Sequence, residues 1–226
     1  MTVIIAMDGP AGAGKSTIAR EVARALGFKH VDTGAMYRAV ALGVLDRGLE
    51  GESSTAIEEL ASTLDIEVDG NRVWIDGVEA SARIRGAEVN GVVSAVAARP
   101  GVRRHLADRQ RRLAAGDGVV MEGRDIGSVV FPDAAVKLYL TAAIEERARR
   151  RLEELPAGAE SSLDETAAAI ATRDAADAGR TESPLVRAPD AVVVDSTGKD
   201  VREVVDQVLA IITRAVPGLI TVQPEG

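Results

Sequence analysis

Gly9-Pro-Ala-Gly-Ala-Gly14-Lys15-Ser16 fits the spacing G-x-x-x-x-G-K-[ST]. Each residue type answers a demand of a bound polyphosphate. Glycines let the backbone curl so that successive N–H groups point inward at phosphate oxygens. Lys15 can place a point charge between the β- and γ-phosphates, and the Ser16 hydroxyl can ligate Mg²⁺. A helix opening at Ser16 would direct its positive dipole end at the same anion. Chance produces the string in on the order of half a percent of such chains. Gly9, Pro10, Ala11, Gly12, Ala13, Gly14, Lys15, Ser16 and Thr17 are therefore read as a nucleoside triphosphate site.

The class of triphosphate protein narrows by elimination. A guanine-reading N-K-x-D is missing, since Asn71 and Asn90 are the only asparagines and neither precedes a lysine. At 226 residues the chain is short for a motor domain with a helical lid. A small kinase remains, and it needs a second pocket lined by anion-binding groups. Asp32-Thr33-Gly-Ala-Met-Tyr-Arg38 and Gly123-Arg124-Asp125 each follow a candidate strand, at the carboxyl edge where α/β proteins bind ligands. Arg173, Asp177 and Arg180 share one helix face by spacings of four and three. Arg38, Arg124 and Arg180 together favour an anionic acceptor. Two rivals stay beside this reading: a kinase for another small phosphate or hydroxyl compound, and a non-catalytic switch that binds ATP.

These residues must be held by a sheet. Val3–Met7 is a short apolar run closed by Asp8, Gly9 and Pro10, the pattern of a fully buried strand. His30–Asp32, Gly118–Glu122, Ala135–Leu140 and Ala191–Asp195 repeat it more or less strongly. Helical spacing marks Ser16–Leu26, Gly34–Arg47, Val89–Ala98, Val102–Ala114, Ile144–Leu155 and Val201–Ala215. Ser162 with Glu165 makes a capping box that opens a further helix to about Asp177. The expectation is a single-domain P-loop α/β three-layer sandwich with a five-stranded parallel sheet. An inserted small subdomain is expected at about 49–85, with a helix over Ser54–Leu64 and a hairpin around Asp69-Gly70-Asn71. A short lid is expected at about 147–165, including a flexible loop over Pro156–Ser162.

Composition sets the outer bounds. The formal net charge is −8, which speaks against a general binder of nucleic acid or anionic membrane while leaving room for a basic pocket. No cysteine is present, so disulfides, thiolate zinc sites and thiol catalysis are excluded. With His30 and His105 alone, a multi-histidine metal site or a Ser-His triad is not expected, and both are taken as structural. No apolar run is long enough to span a membrane, and no basic segment precedes Val3–Met7, so the expected location is the cytoplasm. Trp74 is read as core of the insert, Arg147–Arg151 mostly as a solvated face, and Gln223–Gly226 as a frayed tail.

The segments DTGAMYR, Ser94 to Arg103, EGRDIGSVVFPDA and RDAADAGRTESPL together resemble bacterial cytidylate kinases, within the P-loop nucleoside monophosphate kinases. The resemblance spans nearly the whole chain, insert included. It implies phosphoryl transfer from ATP, with Mg²⁺, to CMP and dCMP. It places Thr33 (serine in most of the family) and Arg38 at the acceptor, with Arg124 and Arg180 joining Arg38 on its phosphate. Ser94, Arg103 and Asp125 would face the cytosine ring, and Arg173 with Asp177 would hold the pentose. Lys15, Arg38, Arg124 and Arg180 would carry catalysis by stabilising charge, with no dedicated general base. Arg147, Arg150 and Arg151 fall where the family's lid can approach ATP phosphates. Glu122 or Asp125 could act on Mg²⁺ through water, or Asp125 could pair with Arg124. Ala175, Ala176 and Ala178 replace charges common in the family. The partners implied are small molecules only, and a monomer suffices for them.

Overall fold

The computed structural model describes residues 2–116, 118–154 and 161–219. The 156–162 loop and the middle of the expected lid fall largely outside the described residues, and the 223–226 tail falls wholly outside them. Five parallel strands form the main sheet: β1 (Val3–Asp8), β2 (Lys29–Asp32), β6 (Gly118–Gly123), β7 (Val136–Thr141) and β8 (Val192–Asp195). Their order is β2-β6-β1-β7-β8, which puts β1 at the centre. Parallel pairing requires crossovers, and helices supply them. The chain runs from β1 through α1 (Lys15–Leu26) to β2, and from β8 into α8 (Val201–Ala215).

Side chains alternate across β1. Ile5 and Met7 face α1 and α8 in a cluster with Ile18, Val22, Val204, Val208 and Ile212. Ala6 faces the other way, with Val31, Val119, Met121, Ile126 and Val130. Period-two alternation thus gives each sheet face its own helical layer.

The insert is built from α3 (Ser54–Thr63) and an antiparallel sheet of β3 (Ile66–Asp69), β4 (Arg72–Ile75) and β5 (Val78–Glu79). The two-residue β5 is an addition to the expected hairpin. It is reached through Asp76 and Gly77, both at positive φ. Val68 and Val73 are cross-strand partners and both are buried. Trp74 takes the opposite face, half-buried with Arg72 5.2 Å from its ring centroid, so it is not core as the sequence reading had it. Strand alternation decides this, because only one face of the small sheet meets the rest of the molecule.

The insert's buried side chains merge with the body. Ile57, Leu60, Leu64, Ile66 and Ile84 share one apolar cluster with Met36, Val40 and Val44 of α2 (Thr33–Asp46). Val89 and Val93 of α4 (Ala87–Ala97) and Leu106 of α5 (Pro100–Leu113) complete it. Truncating one such residue to alanine costs about 2–5 kcal/mol. Two helices, α6 (Ile144–Glu153) and α7 (Leu163–Ala178), pack together after β7. The Ser162–Glu165 capping box opens α7 as its sequence foretells.

Candidate active site

The carboxyl ends of β1, β2 and β6 carry Asp8, Asp32 and Glu122, each at or next to the last residue of its strand. Beyond β1 the chain bends at Gly9, whose φ is 152°. A Cβ there would lie 2.0 Å from the Leu140 carbonyl oxygen, so only glycine fits. No side chain caps the start of α1, which leaves its first N–H groups free for an anion. Lys15 is buried and donates from Nζ to the Pro10 carbonyl at 2.7 Å. Burial, with the charge of Arg124 close by, pulls its ammonium down to about 7. A bound polyphosphate would reverse that pull.

Ser16 Oγ donates to Glu122 Oε2 at 2.9 Å, and His30 Nε2 lies 3.0 Å from Glu122 Oε1. Burial and the neighbouring Asp32 push the Glu122 carboxyl up. His30 is buried and secures one oxygen of the carboxylate whose other oxygen meets Ser16. His105 is exposed. A hydroxyl beside a buried carboxylate is a hard-oxygen pair suited to Mg²⁺, which takes few protein ligands and completes its shell with water and phosphate. Among the described residues no cluster of three or more acidic, histidine or cysteine side chains could hold a metal unaided.

The arginines expected at an acceptor lie within reach of one another's charge, with Arg124 also close to Lys15. Arg124 Nε donates to Asp177 Oδ2 at 2.9 Å, and Arg180 pairs with the other oxygen, Oδ1. Asp177 is 2% exposed, so one buried carboxylate fixes two guanidinium groups. Arg173 is close to Arg124 and Asp177. Burial, then Arg124, lowers its pKa to about 10, and its Nε is buried without a partner among the described residues. Arg38 donates to Asn90 Oδ1 of α4 at 2.7 Å and to the Ile84 carbonyl at the end of the insert at 3.1 Å. Burial and then Arg151 push its pKa down. So many mutually repelling cations in one cleft call for an anion between them.

Arg103 and Asp125 are paired at 2.7 Å, and both are about 95% buried. The Arg103 guanidinium also stands 5.1 Å from the Tyr37 ring centroid. Ser94 is half-buried on α4. Thr33 is buried, and its hydroxyl donates to the Glu122 carbonyl at 2.6 Å. Ala175, Ala176 and Ala178 are exposed on α7, away from Asp177, so the missing charges leave the arginine cluster intact. Of the lid arginines, Arg149 is exposed while Arg147 is buried. The solvated-face reading therefore fails for Arg147, because its guanidinium is enclosed by the phosphate loop and α7.

Sequence reasoning missed Asp8 and Asp174. Asp8 Oδ1 and Oδ2 accept the backbone N–H groups of Ile126 and Gly127 at 2.8 and 2.7 Å. Those amides begin a single π-helical turn (Ile126–Val130) that follows Asp125. Burial pushes the Asp8 carboxyl up to about 6 despite both amides. An acidic residue closing a fully apolar strand was the available signal. Asp174 accepts from the Ala11 N–H at 3.1 Å and pairs with Arg147, contacts to residues far away in the sequence.

The cytidylate kinase family model matches residues 5–214. The chain is 48% identical to the cytidylate kinase of Caldanaerobacter subterraneus subsp. tengcongensis, over 96% of this chain and 98% of that one. Identity to the cytidylate kinase of Geobacter sulfurreducens is 47%, covering 96% of both. Among solved structures, TT1252 from Thermus thermophilus superimposes with a TM-score of 0.51 at 23% identity, covering 96% of this chain and 99% of that one, a likeness of fold.

Proposed function

The chain belongs to the cytidylate kinase family, and from that premise we propose how its side chains divide the work. The enzyme transfers the γ-phosphoryl group of ATP to CMP, giving CDP and ADP. The proposal covers the residues, the metal and the finer substrate range.

One observation supports the assignment above others. Arg124 lies close enough to Lys15, Arg38, Arg173 and Arg180 to feel the charge of each. It can therefore serve both a donor phosphate on the loop and an acceptor phosphate among the arginines. Phosphoryl transfer asks little covalent chemistry of a protein and much positioning. Lys15 and the amides of the Gly9–Thr17 loop hold the triphosphate, apart from Pro10, which has no N–H, and Ala11, whose N–H Asp174 takes. Arg38, Arg124 and Arg180 hold the acceptor phosphate, an anionic nucleophile that needs no general base. Arg173 and Asp177 face the pentose, and Asp177 also fixes the two arginines it binds.

For the base, Asp125 accepts from the cytosine amino group while Arg103 and Ser94 donate to ring N3 and O2. Thr33 supports this pocket through its bond to the Glu122 carbonyl. Mg²⁺ would be held by Ser16, with Glu122 behind it, and when bound supplies charge neutralisation between the phosphates. Closure of the lid, about residues 147–165, excludes water and so protects ATP from hydrolysis. The insert at about 49–85 forms the acceptor-side wall, with Arg38 bridging to it. We assign dCMP as a second acceptor, with small molecules as the only partners and the cytoplasm as the location. Among the described residues no helix is long and apolar enough to cross a membrane.

A coupled ADP-release assay with CMP, dCMP, UMP, AMP and GMP tests the reading. CMP and dCMP should turn over well and the purines poorly. Equal turnover of AMP refutes the pocket assignment, and turnover without any dependence on acceptor refutes the acceptor site.

A further inference from the structure

A loop that turns its N–H groups toward an anion turns carbonyls outward, and buried carbonyls need donors. Four donors are in place here. Lys15 Nζ serves the Pro10 oxygen at 2.7 Å, Arg147 Nη1 the Ala11 oxygen at 3.1 Å, and Ser196 Oγ and Arg150 Nη1 the Ala13 oxygen at 3.2 and 3.5 Å. Lys15 must turn to the phosphates when ATP binds, so lasting support has to come from outside the loop.

Arg147 is well fixed for that task. Its Nε donates to the Ala142 carbonyl at 3.1 Å, and its Nη1 pairs with Asp174 Oδ2. The other oxygen of Asp174 accepts from the Ala11 N–H at 3.1 Å. The ion pair thus holds both backbone polar atoms of a single loop residue. The next residue, Gly12, has φ 73°, and a Cβ there would sit 3.1 Å from the Arg147 Cβ and carbonyl oxygen. The backbone of α6 is therefore seated directly on the loop.

We propose that Arg147 and Asp174 are positioning residues that lock the Ala11 peptide and so preshape the loop for the ATP phosphates, without touching the nucleotide. The proposal rests on the loop being the ATP site. Asp174 lies on α7 between Arg173 and Asp177, so one helix anchors the donor loop and carries the acceptor cluster. The rival arrangement has Arg147 leaving Asp174 to become a phosphate ligand. The two differ in sign. If Asp174 competes with ATP, removing it tightens ATP binding, and if it shapes the loop, removing it weakens binding.

The experiment is calorimetric titration of the full chain with Mg·ATP and, separately, with CMP. The proteins are wild type, Arg147→Met, Asp174→Ala, the double variant, Asp174→Asn and Lys15→Met. Each single removal should raise the ATP Kd about tenfold, the weight of a charge-assisted hydrogen bond, and leave the CMP Kd unchanged. The double variant should be no worse than the worse single one, because the two act as a unit. Asp174→Asn keeps the size and an acceptor for the Ala11 N–H, so it folds if Asp174→Ala does not, and it should raise the ATP Kd about threefold. An unchanged or lower ATP Kd overturns the proposal, as does an equal rise for ATP and CMP, which marks general loosening. If Lys15→Met binds ATP like wild type, it is the loop assignment that fails.

Discussion

Arg103 Nη2 and Asp125 Oδ2 lie 2.7 Å apart, in a pocket where both are almost wholly enclosed. Two of the three side chains assigned to the cytosine ring are therefore each other's partner before any base arrives. A base that offers a donor to Asp125 and acceptors to Arg103 extends this pair. A base that reverses the pattern opposes it.

Uracil does so, with an acceptor at O4 and a hydrogen on N3. Asp125→Asn keeps the shape but can turn an amide N–H toward O4. Its kcat/KM for CMP should fall while that for UMP holds or rises, narrowing their ratio by about 5- to 150-fold. If both activities drop by one factor, Asp125 is holding Arg103 or the fold and is not reading the base.

Lys15→Met removes a preorganised charge at the transferring phosphoryl group. The kcat should fall on the order of 10²-fold or more, as in other deletions of electrostatic stabilisation. A folded variant with near-normal kcat would remove Lys15 from the mechanism.

Asp177→Ala leaves two buried or half-buried guanidinium groups without their shared carboxylate. Stability should drop by about 3 kcal/mol, read by urea unfolding. The KM values for CMP and dCMP should rise together, because both nucleotides present the same phosphate to Arg124 and Arg180. A loss confined to CMP would confine Asp177 to the ribose 2′-hydroxyl, and no change in either would take it out of the site.

Asp8 gives a stability prediction with a definite sign. Its folded pKa of about 6 stands above the ordinary 3.8, so the fold prefers the neutral acid. The resulting stabilisation is full below about pH 3.8 and disappears as pH rises through about 6. Asp8→Asn cannot ionise and lacks this component. Relative to wild type it should gain up to about 3 kcal/mol on going from about pH 4 to pH 7. A pH-independent difference between the two unfolding free energies would mean that the Ile126 and Gly127 amides keep the folded carboxyl ionised throughout.

The main sheet was legible because its strands are short, apolar and closed by glycine, proline or an acid. Gly9 and Lys15 were legible because phosphate binding constrains a contiguous string. The two-residue β5 was not, since it is too short to show a period and exists only through pairing with Trp74 and Ile75. Trp74 was misplaced for a related reason: size suggested core, whereas the alternation of Val68 and Val73 assigns the buried face. Asp174 and Arg147 look like surface charges one by one. Their partners lie 163 and 27 residues from Asp174, and no local pattern encodes such a meeting.

Five arginines, Arg38, Arg103, Arg124, Arg173 and Arg180, are concentrated at one cleft of a chain whose formal charge is −8. The remainder of the molecule is accordingly more acidic than the total suggests. A free mononucleotide would meet that exterior only briefly before reaching a cleft of five arginines. A cytidine at the end of an RNA strand would present the same base and one phosphate, but would drag a row of further phosphates across acidic surface with few counterions to release. The charge of the whole body would thus favour a monomer over a polymer, beyond what the residues of the cleft contribute.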